Sequence, residues 1–165
     1  MQGTMQKLKV LFLCTGNSCR SQMAEGWTRC LKGDGIEPYS AGIQPRGLDP
    51  RAVRVMAEAG VDISSQRSKG VEELKNIQFD YVVTVCDQVH ESCPLFPGRT
   101  KVIHVGFDDP PRLAQDSRSE QEALGHYRRV RDEIRRFVES LPGTVATAQA
   151  SAEPIRSRRN SRKEV

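Results

Sequence analysis

The sequence contains no long apolar run and few aromatic residues. Its clearest apolar stretch, Val10 to Leu13, is far shorter than a membrane-spanning helix or the apolar region of a signal peptide. We therefore expect a cytoplasmic protein that has no membrane partner. Aromatic residues make up 5% of the 165 residues and hydrophobic residues 37%, so the core must be built from Val, Leu, Ile and Ala, as in many α/β sheets.

A closed disulfide framework is also missing, because the five cysteines are an odd number. In a cytoplasmic protein such thiols are reduced at rest. The small secreted scaffolds that depend on disulfides are thereby excluded. The cysteines remain available for chemistry.

The net charge of +4 is concentrated near the C-terminal end. Residues 144–165 carry four Arg and one Lys against two Glu, which accounts for +3 and leaves +1 for residues 1–143. No aromatic residue stands among these arginines, and we therefore expect no nucleic-acid partner. The segment is also polar and has no apolar period. We expect one domain over residues 1–143 and a basic, disordered tail over 144–165.

Strand-like and helix-like patterns alternate before this tail. Strands are predicted at Lys7–Cys14, Ile36–Gly42, Phe79–Val85 and Lys101–Val105. Asp49-Pro50 opens one helix, and a capping box of Ser119 and Glu122 opens the last. The alternation predicts an α/β fold, a single flavodoxin-like domain whose four-stranded parallel sheet carries helices on both faces. In such sheets ligands bind beyond the carboxyl ends of the strands.

The segment between Cys14 and Arg20 has the spacing of an anion-binding loop. Five residues can curl so that their N–H groups point at one tetrahedral anion, helped by Gly16, which permits positive φ, and Asn17, which tolerates it. The following helix and the Arg20 guanidinium add positive charge, which is expected to lower the pKa of Cys14. Ser21 is a further donor. The anion-binding positions are Thr15, Gly16, Asn17, Ser18, Cys19, Arg20 and Ser21. A buried structural cysteine is the alternative.

The segments CTGNSCRSQMAEGW, YSAGI, VVTVCDQVHESCP and GFDDP, in this order, resemble the thioredoxin-coupled arsenate reductases, which share the fold of low-molecular-weight tyrosine phosphatases. The resemblance covers about Lys7 to Leu141. It implies Cys14 as the nucleophile and Arg20 as the oxyanion-binding residue. It implies Asp109, rather than its neighbour Asp108, as the proton-transfer carboxylate. The redox relay that it implies consists of Cys86 and Cys93.

This resemblance makes arsenate the substrate, arsenite the product and thioredoxin the reductant of an enzyme expected to be a monomer. Reduction takes two electrons, which thiols supply when Cys86 attacks the sulfur of Cys14 and Cys93 then attacks Cys86. If Asp87 to Cys93 is a helix, the two relay Cα atoms lie about 10 Å apart, beyond the roughly 7 Å that a disulfide permits. The segment must then unwind.

Two other functions use the same residues. A low-molecular-weight phosphatase would need only Cys14, Arg20 and Asp109, although the aromatic residues that typically follow Asp-Pro in tyrosine phosphatases are replaced by Pro111 and Arg112. A weak side phosphatase activity is also compatible with the reductase. The second alternative is a non-enzymatic redox or metalloid-sensing module that binds a partner through its tail and would tolerate the loss of Arg20.

The sequence predicts no metal site. Cys86, His90 and Cys93 are ligand types for zinc, but three ligands are too few for a structural site. Cys19 in the loop and Cys30, expected on the apolar side of a helix, are interpreted as non-catalytic. His104 and His126 are assigned no role.

Some members of the family hold a potassium ion beside the loop. Asn17, Glu25 and Ser40 match that site, but Lys69 stands where a further carboxylate is expected. An ammonium group there can replace the charge of the ion. We therefore expect no required cofactor and weak or no potassium dependence.

Overall fold

The computed structural model describes residues 6–86, 94, 96, 98–151 and 155–156. Its strands are β1 (Leu8–Cys14), β2 (Ile36–Gly42), β3 (Tyr81–Thr84), β4 (Lys101–Gly106) and β5 (Ile155–Arg156). Its helices are α1 (Arg20–Lys32), α2 (Pro50–Glu58), α3 (Pro110–Ala114), α4 (Glu120–Glu139) and α5 (Gly143–Ser151), with a 3-10 helix at Val71–Leu74. A helix follows β1 and another follows β2, as the sequence patterns predict, and three helices stand between β4 and β5.

The strands form one parallel sheet in the order β2-β1-β3-β4-β5. Every residue of β1 from Val10 to Cys14 is buried, although successive side chains point to opposite faces. Both faces of the sheet are therefore covered around β1. The first four strands confirm the predicted α/β fold, and β5 adds a two-residue strand at the edge that the sequence patterns did not indicate.

The strand order brings three strand ends to one edge of the sheet. β1 lies between β2 and β3, with Phe12 in register with Ser40 on one side and Val83 on the other. β4 follows β3, with His104 opposite Thr84. Because all these strands run the same way, the segments that follow β1, β3 and β4 meet at the carboxyl edge of the sheet.

Side-chain caps begin two of the helices where the sequence predicts them. Asp49 precedes Pro50 and accepts the N–H of Arg51 at 2.9 Å, which caps α2. Ser119 accepts the N–H of Glu122 at 3.1 Å at the start of α4. The buried face of α4 is an apolar stripe with helical spacing, and its members are Leu124, Tyr127, Val130, Ile134, Phe137 and Val138.

The segment after residue 143 differs from the expected disordered tail. Residues Gly143–Ser151 form α5, which contacts β4, and the side chain of Val145 is fully buried. A single apolar side chain covered by a distant strand leaves no periodic pattern in the sequence, and for that reason the helix was not predicted. The remaining tail residues, 152–154 and 157–165, lie outside the described ranges. No helix within those ranges combines the length and apolar character needed to cross a bilayer.

Candidate active site

The loop between β1 and α1 turns its carbonyl groups outward. The carbonyl oxygens of Cys14, Thr15, Gly16 and Ser18 accept hydrogen bonds from the N–H groups of Ile43, Gln44, Arg46 and Asp49, at 2.8 to 3.3 Å. The carbonyl of Asn17 accepts the side-chain amide of Gln22 at 3.0 Å. In a trans peptide the C=O and N–H point in opposite directions. The N–H groups of residues 15–19 are therefore directed to the inner side of the loop.

Asn17 holds the turn of this loop. Its φ of 46° is positive, and its side chain is fully buried. The amide nitrogen donates to Ser21 at 2.8 Å, and the amide oxygen accepts the Gln22 side chain and the Lys69 N–H, both at 3.0 Å. These three bonds stabilise the left-handed backbone that the sequence analysis associated with Gly16 and Asn17, and Asn17 adopts it.

Gly42 allows β2 to approach the loop. A Cβ atom at this position would lie 2.7 Å from the Thr15 carbonyl oxygen and 2.9 Å from the Asn17 nitrogen. Gly16 is covered differently, because the side-chain stem of Arg46 lies 3.2 Å from the position of its missing Cβ. The two glycines thus allow β2, the anion-binding loop and the Arg46 side chain to pack closely against one another.

The loop forms the floor of a cavity of about 320 Å³. Its walls come from the loop itself, from residues 46–50 and from Asp109 and Pro111 after β4. Arg20 spans this cavity, donating to the Phe107 carbonyl at 2.9 Å while a second nitrogen lies 3.6 Å from the Asp109 carboxylate. Burial alone would lower the pKa of Arg20, but the nearby Cys14 and Asp109 raise it. The guanidinium is therefore a permanent positive charge beside Cys14.

Cys14 lies at this floor, and Cys86 is its neighbour. The two residues are 5% and 3% exposed, and their side chains are close enough to influence each other's protonation. The Thr15 hydroxyl lies 3.4 Å from the Cys86 sulfur. The two thiols are neighbours because β1 and β3 are adjacent in the sheet. Cys14 is the last residue of β1, and Cys86 lies two residues after the end of β3.

The predicted lowering of the pKa of Cys14 is wrong for this arrangement. The hydrogen bond with Cys86 and burial raise the pKa well above its usual value, and they outweigh Arg20 and the Thr15 N–H, which lower it. The sequence identified the positive charges but not the neighbouring sulfur. A neutral Cys14 thiol that donates to Cys86 loses this bond when it ionises, which favours the protonated form.

The two aspartates after β4 have different partners. Asp109 immediately precedes α3, is 41% exposed at its side chain and faces Arg20. Asp108 instead pairs with Arg129 of α4 at 3.0 Å. Only Asp109 of the two lines the cavity, which agrees with its choice as the proton-transfer carboxylate.

Lys69 reaches the position considered for a cation. Its ammonium lies 3.8 Å from Glu25 and donates to the Arg67 carbonyl at 3.0 Å, and Ser40 donates to the same Glu25 oxygen at 3.0 Å. Burial lowers the pKa of Lys69, while Glu25 raises it. An ammonium group therefore faces the buried carboxylate.

The other cysteines have mixed outcomes. Cys19 is buried in the loop and lines the cavity. The prediction that Cys30 lies on the apolar side of its helix is wrong: it is exposed, because α1 buries residues only up to Thr28. Cys93, His90 and the predicted helix from Asp87 lie outside the described residues. Within the described residues, no group of His, Cys, Asp and Glu is suited to a metal ion.

The sequence patterns do not indicate the outer wall of the cavity. Arg46, Leu48 and Asp49 belong to this wall, and Asp49 is bonded to Tyr127 of α4 at 2.6 Å. The Asp-Pro pair signalled only a helix cap. Nothing in the sequence indicated that the same residue would line a site formed by another loop.

Comparison with known proteins agrees with this arrangement. The family model of low molecular weight phosphotyrosine protein phosphatase matches residues 9–151. An arsenate reductase of Bacillus licheniformis is 46% identical over 140 residues, covering 82% of this chain and 99% of that protein. An arsenate reductase of Bacillus subtilis is 48% identical over 130 residues, covering 79% and 91%.

Solved structures of arsenate reductases are also similar to this chain. The arsenate reductase of Archaeoglobus fulgidus superposes with a TM-score of 0.63 at 32% identity, over 81% of this chain and 98% of that one. An arsenate reductase in a phosphate binding state superposes with a TM-score of 0.64 at 29% identity, over 84% and 98%. Since the family model and these relatives span most of the chain, it belongs to the low molecular weight phosphotyrosine protein phosphatase family and is related within it to the arsenate reductases.

Proposed function

We propose that this protein reduces arsenate to arsenite by a relay of three thiols. The observation that carries the proposal is the closeness of Cys14, on the floor of the cavity, to Cys86, which follows the adjacent strand β3. A phosphatase requires one cysteine there, whereas a reduction by thiols requires a second sulfur within reach of the first. The names of the relatives support arsenate as the substrate.

Arsenate binds in the loop through the inward N–H groups of residues 15–19. Arg20 grips two of its oxygens in a bidentate contact, for which it exchanges its bond to the Phe107 carbonyl. Asp109 stands on the other side of Arg20 and is exposed enough to exchange protons with water. The site thus combines positive charge with a proton-transfer group.

In the first chemical step the sulfur of Cys14 bonds to arsenic. The thiol proton and one arsenate hydroxyl leave together as water, with Asp109 carrying the proton to the departing oxygen. Arsenic remains in its +5 state. The raised pKa of Cys14 means that proton removal belongs to this step, and the arriving dianion is itself a base close to the thiol.

In the second step Cys86 attacks the sulfur of Cys14. A disulfide forms, the sulfur–arsenic bond breaks, and its electron pair stays on arsenic. The Cys86 proton passes to an oxygen of the group that leaves as arsenite in the +3 state. Cys93 then attacks Cys86, releases the Cys14 thiol and forms a second disulfide. Only this last step is a thiol–disulfide exchange, and one reduction oxidises two thiols of the protein.

A single-turnover experiment tests the order of these thiols. Each variant receives stoichiometric arsenate without reductant, released arsenite is counted, and disulfides are mapped by mass spectrometry. Cys14→Ser and Cys86→Ser release no arsenite, whereas Cys93→Ser releases about one equivalent and stops as the Cys14–Cys86 disulfide. Cys30→Ser, which changes an exposed thiol of α1, is the matched control and behaves as the unmodified protein. Arsenite from Cys86→Ser would overturn the relay.

Hydrolysis of phosphate esters is the second candidate function. It is favoured by the family match and by Arg20 beside Asp109, and it needs neither Cys86 nor Cys93. Efficient cleavage of an aryl phosphate, combined with no arsenite release by the unmodified protein, would replace the reductase with a phosphatase. Slow cleavage that persists in Cys86→Ser fits a side activity.

The oxidised relay requires an external dithiol, and we propose thioredoxin as this reductant of a monomeric, cytoplasmic enzyme. A dithiol resolves the mixed disulfide internally, whereas glutathione needs a second molecule. Multiple turnovers should therefore be supported by thioredoxin and its reductase, and not by glutathione at equal thiol concentration. Equal rates with both reductants would contradict this partner.

We also propose that no cofactor and no potassium are required. The Lys69 ammonium beside Glu25 supplies the positive charge. Replacing potassium chloride by sodium chloride at constant ionic strength should change arsenite formation by less than about twofold, because either ion then acts only through screening. A tenfold difference between the two salts would show that a potassium site exists after all.

A further inference from the structure

One wall of the cavity carries a negative charge. Asp49 lines the cavity together with Arg20 and Gly16, and its N–H donates to the Ser18 carbonyl at 2.9 Å. The residue is thus attached to the loop that we propose to bind the anion. A carboxylate in this position repels a dianion unless its oxygens are held by other groups.

Two donors occupy the carboxylate of Asp49. Its Oδ1 accepts the N–H of Arg51 at 2.9 Å, and its Oδ2 accepts the Tyr127 hydroxyl at 2.6 Å. Tyr127 lies on α4 and is 2% exposed. A short hydrogen bond from a hydroxyl to a carboxylate is one of the stronger types in proteins. It ties α4 to the cavity wall across 78 residues of chain.

The Arg51 side chain lies beside the bond between Asp49 and Tyr127. Its guanidinium is paired with Glu120 at 3.0 Å, lies 6.0 Å from the centre of the Tyr127 ring and also interacts with the Tyr127 side chain. Burial, followed by the field of Asp49, raises the pKa of Cys19, so the charge of Asp49 is felt inside the loop. Burial and the bond to Asp49 raise the pKa of Tyr127, which keeps the proton on its oxygen.

We infer that Tyr127 is a positioning residue of the oxyanion site, whose hydroxyl holds the Asp49 carboxylate against α4 and away from the bound anion. The inference rests on the proposed function, since it concerns the anion-binding loop. Without the hydroxyl, one oxygen of Asp49 loses its donor. The carboxylate then turns into the cavity, where it repels the anion and competes for Arg20.

Equilibrium binding of inorganic phosphate to the full chain, measured by calorimetry under reducing conditions, tests this role without any redox step. Tyr127→Phe should raise the Kd about five- to tenfold, the effect of one carboxylate brought near a dianion. Adding Asp49→Asn, which keeps a capping oxygen but removes the charge, should return the Kd to within about twofold of the unmodified protein. Tyr39→Phe is the matched control, because its hydroxyl donates to the Glu37 carboxylate at 2.7 Å on the exposed part of β2.

Rescue by removal of charge separates this role from a merely structural one. If the Tyr127 hydroxyl were needed only for folding, adding Asp49→Asn to Tyr127→Phe would not restore phosphate binding. The inference is overturned if Tyr127→Phe binds phosphate like the unmodified protein, or if Asp49→Asn fails to restore binding in that background. Asp49→Asn alone should lower the Kd by less than about fivefold, because the Tyr127 hydroxyl already holds the charge of Asp49 away from the anion. A gain of fivefold or more would also overturn the inference, and this holds even if Tyr127→Phe does not fold.

The outcomes also distinguish this inference from the proposed function. Phosphate binding with the expected rescue, but without arsenite release in the single-turnover experiment, would overturn the reductase and support the positioning role. No phosphate binding by the unmodified protein would overturn the oxyanion site and the inference together. Arsenite release with equal phosphate binding in all variants would overturn the inference alone.

Discussion

At the scale of single residues, Arg20 is the group on which anion binding depends most. Its guanidinium contacts both the Phe107 carbonyl and the Asp109 carboxylate, and an ammonium cannot reproduce this fork. Arg20→Lys should weaken phosphate binding and arsenite formation by about 10- to 100-fold, the loss of one charged hydrogen bond. Arg128→Lys, at a surface pair with Glu58, is the control and should have no effect on either. Unchanged phosphate affinity in Arg20→Lys would remove this residue from the site.

The protonation of Cys14 is a second question at this scale. Its largest pKa-raising influence is the hydrogen bond with Cys86, so Cys86→Ala should lower the pKa of Cys14 and leave Arg20 as the dominant charge. The pH dependence of iodoacetamide alkylation at Cys14, followed by mass spectrometry, measures this change. The midpoint should move to lower pH in the variant, while the exposed Cys30 serves as internal control. A midpoint that stays in place or rises would show that the Cys86 sulfur does not hold the Cys14 proton.

At the scale of elements, the site depends on how closely the end of β2 approaches the loop. Gly42→Ala places a methyl group within 3.0 Å of Thr15 and Asn17 atoms, and it should lower the free energy of unfolding by about 1–3 kcal/mol. Phosphate binding should weaken at the same time, because the loop is displaced. Denaturant unfolding and calorimetry measure the two effects.

Gly125→Ala is the matched control for this element. Nothing lies within 4 Å of the added methyl group on α4, and replacing a helical glycine should raise the free energy of unfolding by up to about 1 kcal/mol. Equal effects of the two substitutions, or intact binding in Gly42→Ala, would contradict the close approach as the reason for this glycine.

At the scale of the whole molecule, we expect the folded unit to extend beyond residue 143. Val145 of α5 is fully buried and α5 contacts β4, so a chain of residues 1–142 should lose about 1.5–3 kcal/mol of unfolding free energy. A chain of residues 1–156, which lacks only the basic end, should keep the stability of the full chain. Thermal and denaturant unfolding of both would decide the boundary. If the full chain and both shortened chains were equally stable, the boundary of the folded unit would lie at residue 143.

Much of the fold could be predicted from local sequence signals. Apolar runs mark β1 and β3, the caps Asp49 and Ser119 begin helices, and the apolar stripe of α4 is buried as its period indicates. These features depend on hydrogen bonds and periodicities within a few residues, which are visible in the sequence. The carboxyl-edge location of Cys14, Cys86 and Asp109 follows from the same signals once the sheet is parallel.

The sequence by itself therefore determined the sheet, the anion-loop spacing and the residues that approach it. Only the tertiary structure decided how those residues affect one another. The contact of Cys14 with Cys86 reverses the expected direction of a pKa, and the bond of Asp49 to Tyr127 joins groups far apart in the chain. The physical reason is that burial and electrostatic interaction depend on distances in space, which the packing of the complete chain establishes.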